Sequence, residues 1–139
     1  VDRRVGSQSM GNVEQSDKSL SSRHKSINNM KTLSDKRSKY YFKNGKYDHI
    51  SKMNVNKLSD TKADMYLTRT AVNAMYSDKS RNTKVKMSMD LMKYMRGEAV
   101  KMSRAREIKF IKMTNAIKVS QGTTNKRAEH VVNYINKNK

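Results

Sequence analysis

Residues 56–97 read NKLSDTKADMYLTRTAVNAMYSDKSRNTKVKMSMDLMKYMRG, and this stretch decides the fold. Ser59 has the character of a helix N-cap, whose hydroxyl accepts from an orphan N–H of the first turn. Asp60 places negative charge at the positive end of the helix dipole, and Leu58 and Ala63 occupy the two positions of a hydrophobic staple. Beyond them Met65, Val72, Met75, Tyr76, Val85, Met89, Met92 and Met95 follow a helical stripe. The polar run from Ser77 to Lys84 can be a loop joining two helices, but no Gly or Pro marks a turn there. The favoured reading is therefore one long central helix with an exposed polar waist, closed at Gly97.

Outward from this stretch the same logic holds. The chain has 139 residues, no Pro and only five Gly, so helix breakers are scarce and the helices are expected to be few and long. Gly45, Gly97 and Gly122 are the natural stops. Upstream, Val13, Leu20, Ile27, Met30, Leu33, Tyr40 and Tyr41 form an apolar seam that ends at Asn44-Gly45-Lys46. Tyr47, Ile50 and Met53 then recur at intervals of three in a short segment. Downstream of Gly97, Val100, Ala105, Ile108 and Ile111, flanked by Phe110, Met113 and Ile117, predict a broad apolar face that packs on two neighbours. After the break at Gln121–Asn125, with Thr124 or Asn125 as cap, Ala128, Val131, Val132 and Ile135 fall at i, i+3, i+4 and i+7. Strand alternation is absent. The expectation is an all-α, single-domain, up-and-down bundle of about five helices, spanning 13–139. A flexible arm rich in Ser, Gly and Gln is expected over 1–12.

Composition narrows the function. With no Cys there is no disulfide, zinc-finger site or thiol nucleophile. The three histidines, His24, His49 and His130, are scattered, and no metal or cofactor is expected. No run of about 18 apolar residues occurs, so no membrane span is predicted. Phosphate loops, dinucleotide fingerprints and nucleophile elbows are missing, and the chain reads as a non-enzyme. Glu98 and Glu107, lying among Arg and Lys, read as surface ion pairs. His130 reads as a partly buried hydrogen-bonding residue of the last helix.

Thirty-one Lys and Arg against twelve Asp and Glu give a net charge of +19, which calls for an anionic partner. The excess sits in the body rather than the arm: residues 79–127 hold fourteen cations and three anions. Lys79, Lys86 and Lys93 repeat every seven residues, and Lys101, Arg104, Lys109 and Lys112 lie near one side of the next helix. These seven are the expected basic binding surface, running as a track along the bundle. Of the eleven Met, Met65, Met75, Met89, Met92 and Met113 read as core. Met87 and Met102 fall off the stripes and, with Tyr40, Tyr41 and Phe42, are candidate apolar contacts to a membrane or partner.

The stretch from Ile50 through the Leu58-Ser59 helix start, the sequence Met89-Asp90-Leu91, the break at Gly97 and the run Ser103-Arg104-Ala105-Arg106-Glu107-Ile108 resemble the abalone sperm lysin family. The resemblance covers residues 40–118 and extends to size, basicity and the missing Cys. Trp and Pro are also missing here and aromatic residues are few, which sets the chain apart from lysin itself and nearer to the fusion-associated acrosomal paralogue. The resemblance implies a secreted protein of the sperm acrosomal vesicle that acts in fertilization without enzymatic cleavage. The resemblance further implies binding of the egg envelope or promotion of fusion between sperm and egg membranes. The start at Val1 is read as that of a processed mature chain. The implied partners are an anionic membrane surface or an acidic egg-coat glycoprotein, and a second copy of the chain in a homodimer is also open. The alternative is a nucleic-acid-binding basic helical protein of histone-like or ribosomal kind.

Overall fold

The computed structural model describes residues 34–48, 55–123 and 126–139. Among the described residues five α-helices follow one another: α1 (Asp35–Lys43), α2 (Asp60–Met75), α3 (Arg81–Met95), α4 (Arg104–Ser120) and α5 (Arg127–Asn138). A 3-10 turn, Val55–Lys57, precedes α2. The described residues form an all-α, five-helix bundle without a strand. The arm over 1–12, the seam from Val13 to Leu33, His24, His49, Ile50, Met53, Thr124 and Asn125 lie outside the described residues.

Four of the five helices start on the same chemistry. The hydroxyls of Ser34, Ser59, Ser80 and Ser103 accept from the N–H groups of Arg37, Lys62, Thr83 and Arg106 at 3.2, 3.4, 3.2 and 3.2 Å. Each satisfies an orphan donor of a first turn. The fifth helix starts at Lys126 with no side-chain cap.

Ser80 corrects the expected long central helix. The 56–97 stretch forms two helices, and α2 ends where Tyr76 leaves helical geometry at φ −119° and ψ 44°. Lys79 N–H then bonds the Tyr76 carbonyl at 3.0 Å to close a turn, and Ser80 opens α3. Every side chain can adopt a negative φ of this kind, so the turn needs no glycine, and the sign sought in the sequence was the wrong one. The end of α3 does need one. Gly97 has φ +86°, and its N–H bonds the Tyr94 carbonyl while Glu98 N–H bonds that of Lys93, both at 3.0 Å. That pair of bonds is the Schellman motif, whose left-handed residue favours Gly.

The central element is α2, which packs against α3, α4, α5 and the 3-10 turn. It is buried on nearly all sides from Ala63 to Met75, as a helix enclosed by neighbours must be. Phe42, Leu67, Val72, Leu91, Met92, Phe110, Met113, Ile117 and Ile135 form the core around it. Met65, Met75, Met89, Met92 and Met113 are all buried, as their stripe implied. Tyr47 gathers Tyr41, Phe42 and Tyr66 edge-on at 6.3, 6.2 and 6.2 Å, which seats the end of α1 on α2.

Several expected surface residues turn out to be core. Met87 is 5% exposed, because α3 has α1, α2 and α4 around it and buries more than one stripe. Phe42 is fully buried, Tyr41 is half-buried, and Met102 packs against the core from its edge. Tyr40 alone of the five is exposed. His130, expected to be partly buried, points to solvent, while Ala128, Val131 and Ile135 carry the inner face of α5.

Candidate functional site

Helix α4 presents two apolar stripes, and only one is used by the fold. Phe110, Met113, Ala116 and Ile117 turn inward onto α2 and α5. Ile108, Ile111 and Val119 remain 41%, 38% and 56% exposed. These three lie at i, i+3 and i+11 and so share one side of the helix. The expectation that Ala105, Ile108 and Ile111 face the core is therefore corrected: Ala105 is exposed as well. Cations are interleaved with them. Arg104, at i−4 from Ile108, is exposed and reaches Glu107 at 3.0 Å. Lys112 and Lys118 rise from the same outer half, and Lys101 is exposed just before the helix. Lys109 leaves this group, its ammonium lying 5.4 Å from the centre of the Tyr76 ring.

The other half of the expected basic track lies elsewhere. Lys79 is exposed in the α2–α3 turn. Lys86 and Lys93 line a cleft of about 650 Å³ between α3 and α1. Its α1 wall carries Lys36, Lys39 and Lys43, and Val85 and Met89, 5% and 8% exposed, show only small apolar edges between the lysine stems. Two carboxylates also line it. Asp90 accepts from Lys86 at 3.2 Å, and Asp35 lies 3.6 Å from Lys93 and 2.6 Å from Arg96. The guanidinium of Arg96 holds the Asp35 carboxyl below its ordinary range, against a smaller opposing effect of burial. Arg96 also meets Glu98 at 2.8 Å, so both glutamates expected in surface ion pairs are in them. The seven cations thus form no single track: Lys86 and Lys93 line the cleft, Lys101, Arg104 and Lys112 belong with the outer face of α4, and Lys79 and Lys109 belong to neither.

A third constellation was not found from the sequence. Asp48 lies between Arg69 at 2.8 Å and Arg81 at 2.6 Å, beside a small pocket of about 210 Å³ that Asn73 and Lys84 help to line. The Asp48 carbonyl accepts from the Asn73 side chain at 2.7 Å, and Arg81 also donates to the carbonyls of Phe42 and Lys43. Burial disfavours the charged form of Arg69, and the Asp48 carboxylate opposes that effect. The guanidinium stays protonated in either case. Together these bonds clamp the end of α1 to α2 and α3. The signal was present, since Arg69 interrupts the apolar run Tyr66-Leu67-Thr68-Arg69-Thr70-Ala71-Val72.

Among the described residues no group of three or more His, Asp or Glu could hold a metal ion, and no helix is long and apolar enough to cross a membrane. No protein-family model, curated protein or solved structure matches the chain.

Proposed function

We propose that the chain is a secreted, non-enzymatic, lysin-like protein of the sperm acrosome that acts in fertilization at an anionic membrane surface. The outer face of α4 is the part that touches the bilayer and promotes fusion. The fertilization setting rests on the family resemblance, and the membrane role rests on one observation. Ile108, Ile111 and Val119 are exposed on the same side of a helix that carries Arg104, Lys112 and Lys118. An interfacial helix has this composition: branched apolar side chains enter the headgroup boundary while Lys and Arg stems lie along them and lift their charges to the phosphates. Each cation near an anionic leaflet adds about 1 kcal/mol, so the face binds as a sum of modest contributions.

A track for nucleic acid needs cations along the phosphate backbone and gives the exposed isoleucines no evident role. An acidic egg-coat glycoprotein would meet the cations equally well, and vesicles separate it from the membrane reading. The test is co-sedimentation and lipid mixing with vesicles containing phosphatidylserine, compared with phosphatidylcholine alone. Binding to the anionic vesicles, lowered but not abolished by 0.5 M salt and sharply reduced in an Ile108→Ser/Ile111→Ser variant, is the expected result. Binding that vanishes with salt and is indifferent to the two isoleucines would overturn the reading in favour of a purely electrostatic partner.

A further inference from the structure

We propose that the cleft between α1 and α3 is a second binding site, which takes an acidic peptide segment of a partner protein and covers one of its apolar side chains with the aliphatic lysine stems around the small exposed edges of Val85 and Met89. The charge pattern carries the first part. Lys36, Lys39 and Lys43 fall at i, i+3 and i+7, one line along α1, and none makes an ion pair with a described residue. Lys86 and Lys93 face them from α3. Among the described residues only Asp35 and Asp90 line the cleft as anions, and both lean toward α3 partners: Asp90 to Lys86, Asp35 to Lys93 and Arg96. The α1 wall has no counter-charge among the described residues, and a bound anionic chain supplies one.

The shape and apolar lining carry the second part. A cleft of about 650 Å³ has the size of a ligand pocket and is walled on both sides by helices. A flat bilayer or a nucleic-acid duplex meets convex surfaces and does not enter it. Lysine supplies mobile point charges that follow carboxylates spaced along a peptide, whereas recognition of phosphate relies more on the planar fork of Arg. The aliphatic lysine stems, with Val85 and Met89 only 5% and 8% exposed between them, offer nothing to a sulfated sugar but cover a Leu or Met side chain. This is groove recognition with a charged rim.

The test uses the full chain and two fluorescent peptides, one of Glu with Leu at every third position and one of Glu alone, read by anisotropy at about 0.15 M salt. The Leu-containing peptide is expected to bind several-fold more tightly. Its affinity should fall about tenfold or more in Lys36→Glu/Lys39→Glu/Lys43→Glu, and only slightly in the equally charged control Lys118→Glu/Lys126→Glu/Lys137→Glu. Acetylation of the unmodified protein, read by mass spectrometry, provides a measure free of folding effects: the peptide should protect Lys36, Lys39 and Lys43 and leave Lys126 and Lys137 reactive. The Ile108→Ser/Ile111→Ser variant should bind the peptide normally, so the two sites fail separately. Equal loss in both triple variants, equal affinity for the two peptides, or unprotected α1 lysines would overturn the assignment. Displacement of the peptide by heparin from the α1 lysines, with heparin the tighter ligand, would overturn it in favour of a sulfated glycan.

Discussion

Arg69 and Asp48 form an ion pair inside the bundle, with a guanidinium that is 1% exposed at the middle of α2 lying 2.8 Å from a carboxylate in the loop after α1. A charge so placed needs its partner, because removing one member of a buried pair leaves the other desolvated and uncompensated.

The Asp48→Asn substitution should therefore cost about 3 kcal/mol of stability, visible as a lower urea midpoint with little change in the slope. Arg81→Met, at a side chain that is 45% exposed, should cost less than Asp48→Asn, since Arg69 keeps its counter-ion. A destabilisation by Asp48→Asn no larger than that of Arg81→Met would show that Arg69 finds solvent or another partner instead.

The break between α2 and α3 makes a prediction of sign. In a continuous helix, Ser80→Ala would stabilise the chain slightly, because Ala is the better helix former. With Ser80 as the cap of α3, holding Thr83 N–H at 3.2 Å, the same substitution should destabilise by about 1 kcal/mol, and Ser80→Gly by only a few tenths. Thermal melts of the two variants decide between the arrangements.

At Gly97 the cost comes from the backbone. A Cβ there would meet nothing within 4 Å, but φ is +86°. Gly97→Ala should lower stability by about 1 kcal/mol through strain alone, and Gly97→Asn, which tolerates left-handed geometry better, by less. Equal effects of the two would place the cost in lost packing instead.

Acid should loosen the α1–α3 contact. Asp35 titrates lower in the folded chain than in the unfolded one, chiefly because Arg96 donates to it. The folded state therefore binds fewer protons here. Its advantage is complete above the unfolded carboxylate range near pH 4 and is lost as pH falls through the lower folded value. Melting temperatures of the protein and of Asp35→Asn should differ at pH 6 and converge as pH falls through that lowered folded value. A constant difference across that range would remove Asp35 from the acid response.

These features differ in how openly the sequence carries them. The start of α2 at Leu58-Ser59-Asp60, the stop at Gly97 and the inner face of α5 were all legible, because each rests on chemistry within one or two helical turns. The turn at Tyr76–Ser80 was not, since a break made at negative φ leaves no Gly or Pro behind. The same serine pattern at Ser34, Ser80 and Ser103 was available and would have placed it. Which stripe of α4 faces inward was also hidden: Phe110, Met113 and Ile117 compete with Ile108 and Ile111, and only the positions of α2 and α5 decide. The burial of Met87 and the meeting of Asp48 with Arg69 likewise depend on neighbours distant in sequence.

The absence of Cys from the 139 residues allows the central claim to be tested at single positions. A Cys introduced as Asn115→Cys, on the outer face of α4, and another as Asn136→Cys, exposed on α5, can each carry an environment-sensitive fluorophore. On phosphatidylserine vesicles the label at 115 should shift to the blue and be quenched by lipid-borne quenchers, while the label at 136 stays in water. Both labels remaining in water while the protein sediments with the vesicles would contradict the account, because α4 would then not be the face that enters the membrane.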